Sequence, residues 1–268
     1  MKSSLFSPDL YNARIKKIPS SSPDEEPLII QVMVADRSIF HPGFEERTAN
    51  NNPSEEKPNR RSACGTVSEK AARRAAAKLN DYILCNPDMD YFFTLTYNKD
   101  RVNREDYAAV IRRFNQWTDN RVRRNGLKYV AVAEYHKDGK AIHFHGLCNQ
   151  AVELTNSGCV RCNGHKKPLK VSTADRYKIP IEERQTVYNI ADWLYGYSTA
   201  IHCYGSREAV ARYIGKYITK SGDKVGGRWY YHGGKLSEPI YEYLNLDYDA
   251  FVGTEVEFTE NLHAKFGK

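Results

Sequence analysis

The sequence predicts an α+β fold in which helices back one central antiparallel sheet. Three observations predict it: a tight hairpin around Asp138-Gly139, an alternating strand at Tyr91–Tyr97, and an element order of strand, helix, strand, strand, insertion, strand, helix. Two-residue turns join antiparallel neighbours, whereas a doubly wound parallel sheet needs a crossover, usually helical, between successive strands. We therefore expect an antiparallel sheet in a chain of 268 residues.

The N-terminal residues 1–62 form the first predicted region. They are rich in Ser, Pro, Asn and charge, and one apolar stretch at 27–35 is compatible with a strand. This composition is typical of a partly irregular arm with little core of its own. The main domain is predicted at 63–250, with an irregular insertion at 149–192 and a C-terminal tail at 251–268.

The first helix of the main domain is predicted from Ser68, where apolar residues recur at helical spacing until Asn86-Pro87 stops the pattern. A strand follows at Tyr91–Tyr97. A second helix is predicted after Asn103 and Asp106, which resemble a capping box, and it ends before Gly126.

The hairpin of 128–135 and 140–148 brings chemically useful residues together. A type I′ turn at Asp138-Gly139 places Glu134 directly opposite His143. His145 lies two residues further along the strand and therefore on the same face, roughly 7 Å away. Two imidazoles and one carboxylate suit Mg²⁺ or Mn²⁺ that must also hold a substrate oxygen. The alternative is a pair of hydrogen-bonded or exposed histidines without metal.

A later helix, capped by Ser206, carries the second cluster of candidate residues. Tyr213, Lys216, Tyr217 and Lys220 follow the i, i+3, i+4, i+7 spacing and share one stripe. A tyrosine beside a metal can attack an activated phosphodiester, and a lysine one turn away can stabilise the developing charge. Alternatively, the tyrosines are core or DNA-stacking residues. The other face is apolar, with Val210, Ile214 and Ile218.

Further strands are predicted around this helix. They cover residues 197–204 before it and residues 228–231 and 239–246 after it. The site is expected on the open face of the sheet, with the tyrosine helix brought across the metal.

The ordered motifs resemble motifs 1, 2 and 3 of HUH-family rolling-circle replication initiators. These are the strand Tyr91–Tyr97, then Glu134 with His143 and His145, then the helix of form Y-x-x-K-Y-x-x-K. The set is most similar to replication proteins of small single-stranded DNA phages and related mobile elements, and the resemblance spans about residues 66 to 232.

This resemblance implies a sheet of the HUH, RRM-like kind and a metal-assisted transesterification. Glu134, His143 and His145 would be metal ligands, Tyr213 and Tyr217 nucleophiles, and Lys216 and Lys220 supporting cations in a site-specific endonuclease and ligase. A tyrosine would attack single-stranded or hairpin origin DNA, leaving a 5′-phosphotyrosine and a free 3′-hydroxyl for a host polymerase. Tyr213 has a slight positional preference as the first nucleophile, because it opens the first Y-x-x-K unit.

Two other classes of function stay open. Relaxases and single-strand transposases use the same chemistry, although the double Y-x-x-K motif favours replication. A nucleic-acid-binding protein of similar fold would use its aromatic and basic surfaces without cleaving DNA.

Charge and composition agree with a nucleic-acid partner. The formal net charge is +7 and the pI is near 8.9, which favours polyanions. Aromatic residues supply stacking surfaces for unpaired bases. One run of basic residues, which could also be a solvated helix face, comprises Arg112, Arg113, Arg121, Arg123, Arg124 and Lys128.

Six cysteines without a regular framework favour a reducing compartment over a disulfide scaffold. Cys159 and Cys162 with His165 have the spacing of zinc ligands, so a structural Zn²⁺ is considered in the insertion. The lone pair of cysteines is equally compatible with a reduced turn.

The remaining expectations concern location and partners. No apolar run approaches the ~20 residues that span a bilayer, so we expect no membrane partner and a cytoplasmic protein in a bacterial host. No Walker A sequence occurs in the chain. A helicase would therefore come from the host.

Overall fold

The computed structural model describes residues 10–19, 26–40, 69–136, 139, 141–221, 224–247, 256–258 and 262–264. The chain divides into two compact units, the first formed by residues 1–64 and 238–268 and the second by residues 65–237. Residues 238–250 therefore group with the N-terminal residues, whereas the sequence pattern places them in the 63–250 domain. The reason is strand pairing, described below.

The elements in chain order are β1 (Leu10–Ile18), β2 (Leu28–Phe40), α1 (Glu69–Cys85), β3 (Tyr91–Tyr97), α2 (Tyr107–Asn125), β4 (Tyr129–Tyr135), β5 (Ile142–Cys148), β6 (Leu154–Cys162), β7 (Leu169–Lys170), α3 (Val171–Arg176), β8 (Arg184–Ile190), β9 (Gly196–His202), α4 (Arg207–Ser221), β10 (Tyr231–Gly233), β11 (Ile240–Leu244), β12 (Val256–Phe258) and β13 (Leu262–Ala264). Single 3₁₀ turns lie at Ile181–Glu183 and Val225–Gly227.

The second unit is built on an eight-stranded sheet with the order β10-β4-β5-β3-β9-β8-β6-β7. Every described pairing in it is antiparallel, which confirms the predicted α+β class. β3 lies between β5 and β9 in the interior of the sheet, as the resemblance implied.

The hairpin of β4 and β5 has the predicted register. Glu134 pairs with His143, and Val132 pairs with His145. Gly139 has the positive φ of +69° that a type I′ turn requires. The neighbouring residues 137, 138 and 140 lie outside the described part of the chain, so the turn type stays a prediction.

One face of the sheet packs against α2 through a continuous apolar core. Phe93 and Leu95 of β3 and Phe144 of β5 are buried there beside Phe114 of α2. The rings of Phe114 and Phe144 stack with centroids 3.8 Å apart and planes 7° apart. Because side chains alternate along a strand, the residues between these point to the opposite face.

The opposite face packs against α1 and α4. Ile214 and Ile218 of α4 are fully buried in a cluster with Val130, Val132 and Leu147 of the sheet. The predicted apolar stripe of the tyrosine helix is thus confirmed. Helices cover both faces of the sheet, and the face that carries the candidate residues is the one that also holds α4, so it is only partly open.

Arg207, the first residue of α4, fixes this helix to the end of α1. Its guanidinium donates hydrogen bonds to the backbone oxygens of Ile83, Asn86 and Met89, at 3.0, 2.6 and 3.0 Å. The last carbonyls of a helix have no partner within the helix, so a buried cation is well placed to satisfy them. Ser206 caps α4, because its hydroxyl accepts a hydrogen bond from the backbone of Ala209.

The caps of α2 are only partly as predicted. Gly126 closes the helix in the left-handed conformation with φ 71°. The N-cap is Asp106, whose carboxylate accepts from the backbone of Ala109, and not Asn103. Asn103 instead accepts a hydrogen bond from the backbone of Glu105, which forms a turn before the helix.

The segment 149–192, expected as an irregular insertion, extends the sheet. β6 pairs with β8 from Leu154 with Ile190 to Cys162 with Arg184, with a bulge between Asn156 and Cys159. β6 is rich in polar residues and interrupted by a bulge, so it lacks the clean apolar alternation by which strands are recognised.

The first unit contains a three-stranded antiparallel sheet with the order β11-β1-β2 and a small hairpin of β12 and β13. The pairing of β1 with β11 explains why residues 238–250 join this unit. The predicted strand at 27–35 is confirmed within β2, whereas β1 was not predicted. In the described part of the chain, no helix is long and apolar enough to cross a membrane.

Candidate active site

Three side chains on the β4–β5 hairpin converge on one point. The Nε2 atom of His143 lies 3.3 Å from Oε2 of Glu134 and 3.1 Å from Nε2 of His145. The distance from His145 Nε2 to the same carboxylate oxygen is 3.4 Å. One ligand atom from each residue thus lies within 4.8 Å of the other two.

These donors have the separations that a small divalent cation requires. Ligands at ~2.1 Å from an octahedral Mg²⁺ lie about 3 Å from each other when they are neighbours. The three side chains are partly or mostly buried, and a protein site with two imidazoles and a carboxylate leaves further positions for substrate. The chain's residues therefore fit a divalent metal, although they do not select between Mg²⁺ and Mn²⁺.

His145 is held in the orientation that such a site needs. Thr94 lies opposite it on β3, and the Thr94 hydroxyl is hydrogen-bonded to Nδ1 of the ring at 3.0 Å. This contact leaves Nε2 directed at the carboxylate. Burial and the adjacent His143 lower the pKa of His145 to about 4, against the opposing effect of Glu134. The ring is therefore neutral near pH 7, which is the form that binds a metal.

The two tyrosines of α4 lie at this cluster. The ring of Tyr217 stacks on His145, with centroids 4.6 Å apart and planes 16° apart. Its hydroxyl donates a hydrogen bond of 2.7 Å to the hydroxyl of Tyr213. Tyr213 also contacts the edge of Phe92 on β3, and about half of its side chain surface is exposed.

The environment keeps Tyr217 protonated. Burial, the hydrogen bond to Tyr213 and the negative charge of Glu134 raise the pKa of the Tyr217 phenol well above its usual value of about 10, and only Arg161 opposes them. Tyr217 is thus a hydrogen-bond donor at neutral pH, and the Tyr213 oxygen is the one that receives the hydrogen bond.

The two lysines are less well placed by the structure. Lys216 is exposed on the helix, between the two tyrosines in sequence. Lys220 lies in the last turn of α4, but its side chain is outside the part that the structure describes. Their roles as supporting cations stay predictions.

Several residues at the site were not predicted from the sequence. Phe92 also stacks on His145, at 6.0 Å, and the ring of His136 lies 4.5 Å from that of His143. Phe92 and Thr94 alternate along a strand that the sequence does predict, so their shared face was readable. Arg161 was not readable, because it reaches the site through the long-range pairing of β6 with β8.

The suggested zinc site at Cys159, Cys162 and His165 is not formed. In the described ranges, Glu134, His143 and His145 are the only set of three such residues close enough to hold a metal. Cys159 and Cys162 are three apart on β6, which places them on opposite faces of the strand. In a turn, by contrast, the same spacing would have allowed both cysteines to share a metal.

The basic run on α2 lies on the other side of the sheet from this site. α2 packs against the apolar core on the opposite face. Two of the cations have acidic partners: Arg121 contacts Asp192 at 2.8 Å and Lys128 contacts Asp88 at 2.9 Å. This run therefore does not contribute charge to the tyrosine cluster directly.

Comparison with known proteins indicates the class of protein. Residues 90–222 match the family model for the replication-associated protein ORF2. This range contains β3, the β4–β5 hairpin and the complete α4 helix, so it includes every residue of the site described above. No curated protein and no solved structure matches the chain at a significant level. The match supports a replication-associated protein.

Proposed function

We propose that the chain initiates replication by nicking and rejoining single-stranded DNA at an origin. The observation that carries this proposal is the contact between the two clusters: Tyr217 stacks on a histidine of the metal-donor set and is hydrogen-bonded to Tyr213. A nucleophile beside a metal-donor set is the arrangement that phosphodiester transesterification needs. The replication-associated family match supports the same role.

The protein side of the reaction begins with Tyr213. Its oxygen forms a bond to the phosphorus of the scissile phosphodiester, the bond from phosphorus to the 3′ oxygen breaks, and the phenol proton is released as the 3′ oxygen takes up a proton. The products are a 5′-phosphotyrosine and a free 3′-hydroxyl. Mg²⁺ or Mn²⁺, held by Glu134, His143 and His145, would supply charge stabilisation for the phosphate oxygens.

Tyr217 has two roles in this proposal. Its hydroxyl donates to the Tyr213 oxygen, which stabilises negative charge on Tyr213 as that phenol loses its proton. This favours Tyr213 as the first nucleophile. Tyr217 then serves a second strand transfer while the first DNA end is still attached to Tyr213.

Rejoining is the reverse step. The 3′-hydroxyl of a DNA strand attacks the phosphotyrosine, the phosphodiester re-forms, and the tyrosine leaves with a proton. Lys216 and Lys220 would balance the phosphate charge in both directions. The free 3′-hydroxyl would serve a host polymerase, and a host helicase would separate the strands.

The experiment uses purified protein and labelled single-stranded DNA that carries the origin of the element encoding this chain. After incubation with Mn²⁺ or Mg²⁺, a denaturing gel should show a protein–DNA adduct that EDTA abolishes. His143→Ala and the double variant Tyr213→Phe, Tyr217→Phe should form none, whereas Arg123→Gln on α2 should behave as wild type.

Two results would decide against the proposal. DNA binding without an adduct under any metal would favour a nucleic-acid-binding protein of the same fold. An adduct that persists in the double tyrosine variant would assign the chemistry to another residue. Adducts with transfer or transposon-end sequences, and none with the origin, would favour a relaxase or transposase.

A further inference from the structure

A cleft lies directly beside the tyrosines, and no part of the proposed reaction uses it. Its volume is about 240 Å³. Strands β3, β6, β8 and β9 and helix α4 all contribute to it, and its lining includes Phe92, Arg161, Gln185, Tyr204 and Tyr213. A candidate nucleophile thus forms one wall of the cleft.

Arg161 supplies the cleft with positive charge. It lies on β6, opposite Gln185 on β8, and its side chain is exposed. Within the described ranges, no acidic side chain forms an ion pair with it. Its charge is close enough to Tyr217 to lower the pKa of that phenol, against the other groups around it. An arginine without a carboxylate partner beside a phosphate-directed nucleophile is well suited to bind a phosphate.

Tyr204 supplies an aromatic surface. Its side chain is 71% exposed, although its ring lies 4.4 Å from the ring of His202. His202 is in turn held by Asp90, with Nε2 and Oδ2 separated by 3.1 Å. The tyrosine ring is therefore supported from behind and exposed in front, as a stacking surface for an unpaired base should be.

The size of the cleft limits what it can hold. Pockets for drug-sized molecules begin at roughly 300 Å³, and this cleft is smaller. It can accept one base with part of its sugar and phosphate, but not several stacked nucleotides. The amide of Gln185 offers both a hydrogen-bond donor and an acceptor to a base edge.

We propose that this cleft binds the unpaired nucleotide next to the scissile phosphodiester, with its base on Tyr204 and its phosphate on Arg161. This inference rests on the proposed function, because it assigns the substrate strand a path past Tyr213. The two residues are positioning residues: they hold the phosphate against the tyrosine and form no covalent bond.

The test measures binding of single-stranded DNA in EDTA, so that no cleavage occurs, by fluorescence anisotropy over a series of salt concentrations. Tyr204→Ala should weaken binding about tenfold with an unchanged salt slope, because stacking involves no counterion release. Arg161→Gln should also weaken binding, and should reduce the slope of log K against log salt by about 0.7, as expected for one phosphate contact.

Conservative and matched variants separate these roles from a loss of structure. Tyr204→Trp and Arg161→Lys should restore most of the affinity. Tyr177→Ala removes another exposed tyrosine that lies against a histidine, and Arg123→Gln removes a cation from the opposite face of the sheet. The tyrosine control should leave both affinity and slope as in wild type, and the arginine control should leave the slope unchanged.

The outcomes distinguish this inference from the proposed function. If Tyr204→Ala and Arg161→Gln bind like wild type while adducts still form, the cleft proposal is wrong and the nicking proposal stands. If both variants lose affinity as described but no variant ever forms an adduct, the cleft is a nucleotide site in a protein that binds DNA without cutting it.

Discussion

The two faces of the eight-stranded sheet differ in what they are built for, although the same strands form both. On the α2 face, β5 contributes Ile142 and Phe144 to a closed apolar core. On the α4 face, the residues in between, His143 and His145, form a cluster of polar donors. Alternation along one strand therefore separates stability from chemistry, and changes at adjacent positions should have different consequences.

The largest expected effect is on the α2 face. Phe144→Ala removes a fully buried ring that stacks on Phe114, and we expect a loss of about 3–5 kcal/mol in the free energy of unfolding. His143→Ala, one residue away, should change it by less than about 1 kcal/mol without metal, since it removes a partly buried polar group. Urea titrations of both variants in EDTA test this contrast, and equal losses would contradict it.

The second effect concerns metal on the α4 face. Mn²⁺ at a hundred times its dissociation constant should stabilise the wild-type protein by about 2.7 kcal/mol, because it binds the folded state. Glu134→Gln and His143→Ala should lose most of this gain, whereas Phe144→Leu should keep it. Thermal unfolding with Mn²⁺ and with EDTA measures the difference, and an unchanged gain in Glu134→Gln would remove this carboxylate from the donor set.

A smaller effect is expected from the anchor of α4. Arg207→Met removes a guanidinium that satisfies three backbone oxygens at the end of α1 and in the turn before β3, at a cost of about 2 kcal/mol. Arg212→Met, on an exposed position of the same helix, is the matched control. Adduct yield should fall in Arg207→Met but not in Arg212→Met, because only the anchor sets the position of the tyrosines over the sheet. Equal yields in both variants would show that packing alone places α4.

What the sequence predicts well is local. The register of Glu134 with His143 follows from the position of a two-residue turn, and the tyrosine stripe follows from helical spacing. Both depend on residues that are close in the chain. The apolar face of α4 was equally readable, since Ile214 and Ile218 follow the same helical period.

What the sequence does not predict depends on contacts far apart in the chain. β6 is polar and bulged, so neither its strand nor the approach of Arg161 to the tyrosines could be inferred from the sequence. The joining of β11 to β1 is likewise a pairing between residues near opposite ends of the chain. The zinc suggestion failed for a related reason, because a C-x-x-C spacing presents two ligands together in a turn but on opposite faces in a strand.

The smallest effect tests the support behind the site. Thr94→Val keeps the shape of a residue on β3 but removes the hydroxyl bonded to Nδ1 of His145. Outer-shell contacts of this kind are typically worth 10–100-fold in metal affinity, and we expect a loss of about tenfold here with little change in the free energy of unfolding without metal. Thr96→Val, which lies opposite His143 on the same face of β3, is the control. Calorimetric titration with Mn²⁺ distinguishes them. If both variants bind metal like wild type, the orientation of His145 is set by the stacked ring of Tyr217, and Tyr217→Leu should then produce the loss in its place.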